Sequence, residues 1–194
     1  MRKIYYCLLL LLVTALSVQS QTFSYSDNWG KNGFNLVDSK SNAVQVVFSV
    51  PTFSMQDQVI NGTVMKNISM PGTFLFNDAG MPNLPGEGRF IAIPTGSTPK
   101  VKIISQRTET MHNVEVAPAP VIPLDNDDRP LIGVPDALVY STNAFYPESP
   151  VKISEVSQIR GVDAVILGVT PFQYNPITKD LVVYKDLKVE VTFE

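Results

Sequence analysis

The chain has 194 residues, 44% of them hydrophobic and 17% charged, with a net charge of −3, which suits one domain of ordinary size that can bury its own core. That composition excludes a disordered chain, and acidity without a Lys/Arg cluster excludes a nucleic-acid binder. One Cys and one His leave little equipment for thiol or metal chemistry.

The first twenty residues read as a secretory signal peptide. Arg2 and Lys3 form a basic start, Ile4 to Leu16 is an almost unbroken apolar run, and Val18-Gln19-Ser20 is a small-residue ending. The run is shorter than the roughly 20 residues a bilayer-spanning helix needs. Cleavage after Ser20 would leave Gln21 as the new N-terminus. The only cysteine, Cys7, departs with the leader as apolar filler. So do Arg2 and Lys3, leaving 13 basic against 18 acidic side chains and a net charge of −5. The mature chain then has no disulfide, no thiol nucleophile and no Cys-based zinc site. With no second long apolar segment, the expected product is exported and soluble, in the periplasm or outside the cell, with no membrane association once the leader is gone.

Residues 21–43, rich in Ser, Asn and Gly, read as a flexible lead-in to a β domain over 44–194. In that domain strand signals recur: Val44, Val46 and Phe48 alternate with Gln45, Val47 and Ser49, until Pro51 stops the run. Further strands are expected at Thr73–Phe76, Arg89–Ile93, Lys100–Ser105, around Val114 and Val116, and at Ala137–Tyr140. Met81–Gly88 reads as a loop. Ala117–Pro135 reads as a longer exposed loop, with Pro118, Pro120, Pro123, Pro130 and Pro135 around Asp125, Asp127, Asp128 and Arg129. Val151, Ile153 and Val156 lead through Ile159 to Ala164–Val169. The turn chemistry of Asn175–Asp180 separates Phe172-Gln173-Tyr174 from Leu181–Tyr184. Leu187, Val189, Val191 and Phe193 then alternate strictly with Lys188, Glu190, Thr192 and Glu194, as a half-buried antiparallel strand requires. No repeat appears, and helix periodicity is nearly absent. The expected fold is all-β, an antiparallel β-sandwich or barrel-like domain.

No catalytic constellation stands out. His112 has no Ser or Cys partner in a recognisable motif and reads as structural or surface-exposed. Asp125-Asn126-Asp127-Asp128 lacks the Gly and terminal Glu of an EF-hand and reads as a solvated acidic turn. No spacing selects a carboxylate pair for glycoside hydrolysis. Asn61-Gly62-Thr63 and Asn67-Ile68-Ser69 match glycosylation sequons. Trp29, Phe145, Tyr146, Phe172 and Tyr174 read as packing residues rather than a sugar platform. No metal and no cofactor is expected.

Several phrases in order go further. Gly80-Met81-Pro82-Asn83-Leu84-Pro85, Val116-Ala117-Pro118, Phe172-Gln173-Tyr174-Asn175-Pro176-Ile177-Thr178-Lys179 and the closing run Leu181–Val191 resemble the N-terminal propeptide of gingipain-type (family C25) cysteine peptidases. The resemblance covers roughly residues 40–194 and implies a β-sandwich prodomain that assists folding of a caspase-like cysteine peptidase domain and keeps it latent, in cis or in trans. It implies no catalysis by this chain. In that family a basic residue on an exposed loop enters the S1 pocket. Counted from Ala117-Pro118 without gaps, that position is Asp125, a departure from the family pattern, and Arg129 lies four residues further on. The candidate S1-pocket contacts are therefore Arg129, Asp125, Asp128 and Pro130. Either Arg129 reaches S1, or the partner does not prefer a basic residue there. A proline after the anchor (Pro130 follows Arg129) would make that peptide bond a poor substrate. The rival expectation is a free-standing secreted β-sandwich that binds glycan or protein, for which an aromatic groove is the distinguishing feature.

Overall fold

Among the residues that the computed structural model describes, 20–73, 77–122 and 132–194, strands follow one another with a single helical turn. In chain order they are β1 (Ser20–Ser24), β2 (Gly33–Lys40), β3 (Ala43–Ser49), β4 (Thr52–Ile60), β5 (Thr63–Ser69), β6 (Glu87–Ala92) and β7 (Pro99–Met111). After the turn α1 (Ala137–Tyr140) come β8 (Val151–Ile153), β9 (Ser157–Ile159), β10 (Val162–Val169), β11 (Phe172–Asn175) and β12 (Asp180–Phe193). All pairings between these strands are antiparallel. The fold is all-β, as expected from the alternation.

The spine is β12. It pairs with β7 along nearly its whole length on one edge and with β11 and then β3 on the other, and β2 adds beyond β3. A central strand buries one face fully, and Leu181, Val183, Leu187, Val189 and Val191 are all completely buried. Each such side chain contributes about 1.5–3 kcal/mol relative to exposure. A second sheet runs β6-β10-β8 with β9 also on β10, and a third runs β1-β4-β5. The sheets share one core, which joins Phe48 of β3, Phe53 of β4, Leu167 of β10, Phe172 and Tyr174 of β11 and the β12 residues.

Three local expectations change. The stretch 21–43 is not a flexible lead-in, because β1 and β2 lie in it and both are paired. Its few aromatics are well placed. Phe23 stacks on Phe53 with ring centroids 4.8 Å apart, and Phe34 meets Phe48 edge-on at 4.9 Å. Ala137–Tyr140 is a helical turn rather than a strand, since the Asp136 carboxylate accepts hydrogen bonds from the Leu138 and Val139 amides at 3.0 and 2.9 Å. Val114 and Val116 form no strand; Val116 makes only an isolated bridge to Lys66. The Thr73–Phe76 expectation falls largely on 74–76, outside the described residues, and Thr73 itself is not in a strand.

At Asp186 the pairing of β12 with β7 slips by a residue. The Asp186 side chain is completely buried under residues 27–30. It accepts hydrogen bonds from the Ser49 hydroxyl (2.6 Å), the Trp29 amide (2.9 Å) and Arg107 Nε (2.9 Å), and Arg107 Nη2 joins it too. Arg107 reaches on to Asp27 at 2.7 Å and lies over the Trp29 ring at 5.4 Å. This knot ties the N-terminal segment to the spine.

Candidate functional site

The Ala117–Pro135 loop is rooted by an unusual stretch of backbone. The Ala117 amide donates to the Lys66 carbonyl of β5 at 2.9 Å, so the outgoing stem starts as an addition to that sheet's free edge. The stem then pairs with the 80–83 segment: the Asn83 amide donates to the Ala117 carbonyl (2.8 Å) and the Ala119 amide to the Met81 carbonyl (2.7 Å). Those two bonds flank Pro82 opposite Pro118, an antiparallel non-hydrogen-bonded pair. Neither proline nitrogen is asked to donate there, which is why the alternation Ala117-Pro118-Ala119-Pro120 can pair at all. Ala117 and Ala119 are buried, and their small side chains let the stem lie close.

The return stem closes on Gly80. The Gly80 amide donates to the Ala119 carbonyl and the Asp136 amide donates to the Gly80 carbonyl, both at 2.9 Å. Gly80 has φ +85°, and a Cβ there would meet the Val134 carbonyl oxygen at 3.1 Å. Gly133 lies tighter still, because a Cβ on it would fall 2.2 Å from the Pro118 carbonyl oxygen and 2.8 Å from that of Ala119. Outgoing and returning backbones are therefore in contact, and the loop has a closed neck.

The neck is fastened to the core through α1. The Tyr140 hydroxyl donates to the Val116 carbonyl at 3.0 Å, and its ring lies 6.4 Å from that of Tyr174. Burial pushes the Tyr140 phenol far above its ordinary value and the Tyr174 phenol up to about 12, so both stay neutral. On the other side, Asn77 Nδ2 donates to the Leu84 carbonyl at 2.8 Å, and Asn83 Nδ2 donates to Asn67 Oδ1 at 3.1 Å.

Large apolar side chains stand out of this neck: Val121 (67% exposed) and Ile122 (61%) on the way out, Ile132 (49%) and Val134 (73%) on the way back, and Leu138 (76%) on α1. The expected S1-pocket contacts Asp125, Asp128, Arg129 and Pro130 lie outside the described residues. The two neck glycines were not among the candidates. Their signal was a glycine between β-branched residues, Ile132-Gly133-Val134, inside a proline-rich stretch, which marks close backbone approach.

Other candidates resolve differently. Phe172 and Tyr174 are completely buried, and Trp29 lies under Arg107, so these three form no sugar platform. A hollow of about 410 Å³ does open between β2 and β6, lined mainly by aliphatic side chains with Phe34 and Phe90. His112 is on the surface, with Nδ1 2.6 Å from Asp180 Oδ1. Among the described residues no group of three or more His, Cys, Asp or Glu is placed to hold a metal ion.

Three carboxylates are held below their usual range. Hydrogen bonds from Arg107 act on Asp27, from His112 on Asp180, and from Lys102 on Glu190. A lowered carboxylate pKa contributes stability that is complete above the unfolded value of about 4 and lost as pH falls through the folded value. The urea midpoint is therefore expected to stay level from pH 7 to about 5 and to fall below about pH 4. All three groups are open to solvent, so the fall is modest, and a drop already under way at pH 6 would contradict this assignment.

Comparison with known proteins places this arrangement. The family model Propeptide_C25 matches residues 26–194. The chain belongs to the Propeptide_C25 family. Gingipain R1 of Porphyromonas gingivalis is 30% identical over 116 residues, which span 60% of this chain and 12% of that protein. Lys-gingipain of the same organism is 26% identical over 140 residues, 69% of this chain and 8% of its own length. The chain thus spans less than a quarter of the curated relatives it matches. Among solved structures, the complex of Porphyromonas gingivalis RgpB pro- and mature domains superposes with a TM-score of 0.77 at 22% identity, covering 83% of this chain and 85% of that one. A structure concerned with the zymogenic latency of gingipain K from Porphyromonas gingivalis superposes with a TM-score of 0.71 at 21% identity, covering 91% of this chain and 99% of that one. The fold of this Propeptide_C25 chain is that of the gingipain prodomain structures.

Proposed function

We propose that this chain is a secreted, non-catalytic propeptide domain that binds a C25-type cysteine peptidase domain, assists its folding and keeps it latent. Residues 1–20 serve as the export signal, and no cysteine remains after it to act as a nucleophile. The observation that carries this reading is the closed neck. Backbone contacts at Gly80 and Gly133 hold both ends of the proline-rich segment on a rigid base, as presentation to a partner's cleft requires. Holding the ends in advance, with prolines between them, lowers the ordering cost of docking. Within the segment, Arg129 is the S1 anchor and Pro130 protects the bond after it, while Asp125 and Asp128 flank it. Asp125 takes the anchor role instead if the partner does not prefer a basic residue.

Inhibition of the cognate C25 peptidase by the wild-type chain, Arg129→Ala and Asp125→Ala tests the reading. Loss of an anchor that fills a specificity pocket should raise the inhibition constant about tenfold or more for one of the two variants. Unchanged inhibition by both would sink the assignment of the loop.

A further inference from the structure

We infer that the apolar side chains around the neck (Val121, Ile122, Ile132, Val134 and Leu138) form a docking surface for the peptidase domain, one that supplies affinity separately from the residue that enters S1. This inference rests on the function proposed above. Single exposed aliphatic residues are ordinary, but here five stand at the base of one loop, each about half exposed or more. None is needed by the core, which closes beneath them through Val116, Ala117 and Ala119. Gly133 faces the outgoing stem, so its neighbours Ile132 and Val134 are turned away from that contact, toward solvent.

Chain geometry identifies the occupant. Only nine residues, 123–131, separate the outgoing stem from the return, and a chain that must go out and come back reaches at most about 18 Å from its base. A peptidase cleft that grips a residue in the middle of that segment must come down close to the neck. Its rim then covers the side chains that stand there. A second copy of this chain or a lipid surface at the same place would compete with that cleft, so the peptidase domain is the occupant we assign. Because the neck is already fixed by Gly80, Gly133 and the Tyr140 bond to Val116, these side chains are presented at little entropic cost.

The test separates docking from S1 occupancy. The probe is the cognate C25 peptidase with its catalytic cysteine alkylated by a peptidyl chloromethyl ketone, so that S1 is already filled. Binding of the chain to this blocked enzyme is measured by calorimetry for the wild type, Arg129→Ala and the double variant Val134→Glu/Leu138→Glu. Both substituted positions are strongly exposed, and a thermal melt checks that the fold is kept. The expected result is that wild type and Arg129→Ala bind the blocked enzyme with similar affinity, whereas the double variant is weaker by about tenfold or more. Equal binding by the double variant overturns the inference. So does a wild-type chain that inhibits the free enzyme but does not bind the blocked one, and in that case the proposed function stands. A wild-type chain that binds neither form overturns both.

Discussion

Gly133→Val is expected to raise the inhibition constant toward the cognate peptidase about tenfold or more while leaving the far-ultraviolet circular dichroism and the melting temperature nearly unchanged. Even the first added carbon would sit 2.2 Å from the Pro118 carbonyl oxygen and 2.8 Å from that of Ala119. Both obstacles are backbone atoms, and the outgoing stem that carries them is held from behind by bonds to Lys66, Met81 and Asn83. The return stem must therefore give way, and the neck opens. The core does not depend on this contact: Gly133 lies outside its buried cluster, and the spine β12 is remote from it in pairing. Stability and inhibition should accordingly part company. A Gly133→Val chain that inhibits as well as wild type would show that neck closure is irrelevant to presentation. A large loss of melting temperature would show that the neck is part of the core.

Asp186→Ala is expected to be the most damaging single change to stability, about 3 kcal/mol or more, read as a lower urea midpoint with an unchanged slope. The carboxylate is completely buried, and four groups converge on it: the Ser49 hydroxyl, the Trp29 amide and two nitrogens of Arg107. Removing it strands the Ser49 hydroxyl and the Trp29 amide away from water and leaves Arg107 facing the vacated space. Asp27→Ala is the control, because Asp27 also binds Arg107 but is mostly exposed, and it should cost far less. Trp29 is the chain's only tryptophan, so its fluorescence reports directly on this knot. A loss at Asp186 no greater than at Asp27 would contradict the account of the knot.

The strictly alternating stretches were legible from sequence because alternation at period two has one physical cause, a sheet with one buried face. Val44–Ser49 and Leu187–Phe193 became β3 and the end of β12, and Ala164–Val169 fell within β10. What escaped was structure whose cause lies elsewhere in the chain. β1 and β2 carry few apolar residues and form because Phe23 and Phe34 find Phe53 and Phe48. The β4–β5 hairpin was hidden in plain view: Asn61-Gly62-Thr63 reads as a sequon, yet Asn61 and Gly62 both have positive φ, 49° and 79°, and make the two-residue turn that Asn-Gly favours. Ala137–Tyr140 offers only four residues, too few for any period to tell helix from strand, and the deciding group, Asp136, sits just outside it.

The candidate site divides in the same way. Its place on the chain was legible, because prolines and acidic residues set Ala117–Pro135 apart from the strands around it. Its neck was not, since closure depends on Gly80, which lies 53 residues before Gly133 and is brought to it only by the fold. The docking side chains were invisible for a related reason. Val121, Ile122, Ile132 and Val134 look like core residues in the sequence, and only their exposure makes them a surface.

The most direct test of the central claim is steady-state inhibition of the cognate C25 peptidase by the wild-type chain at several concentrations of a small peptide substrate. A loop presented in the manner of a substrate predicts competitive inhibition at one chain per enzyme, with KM rising and kcat unchanged. No inhibition, or a fall in kcat with KM unchanged, would contradict it.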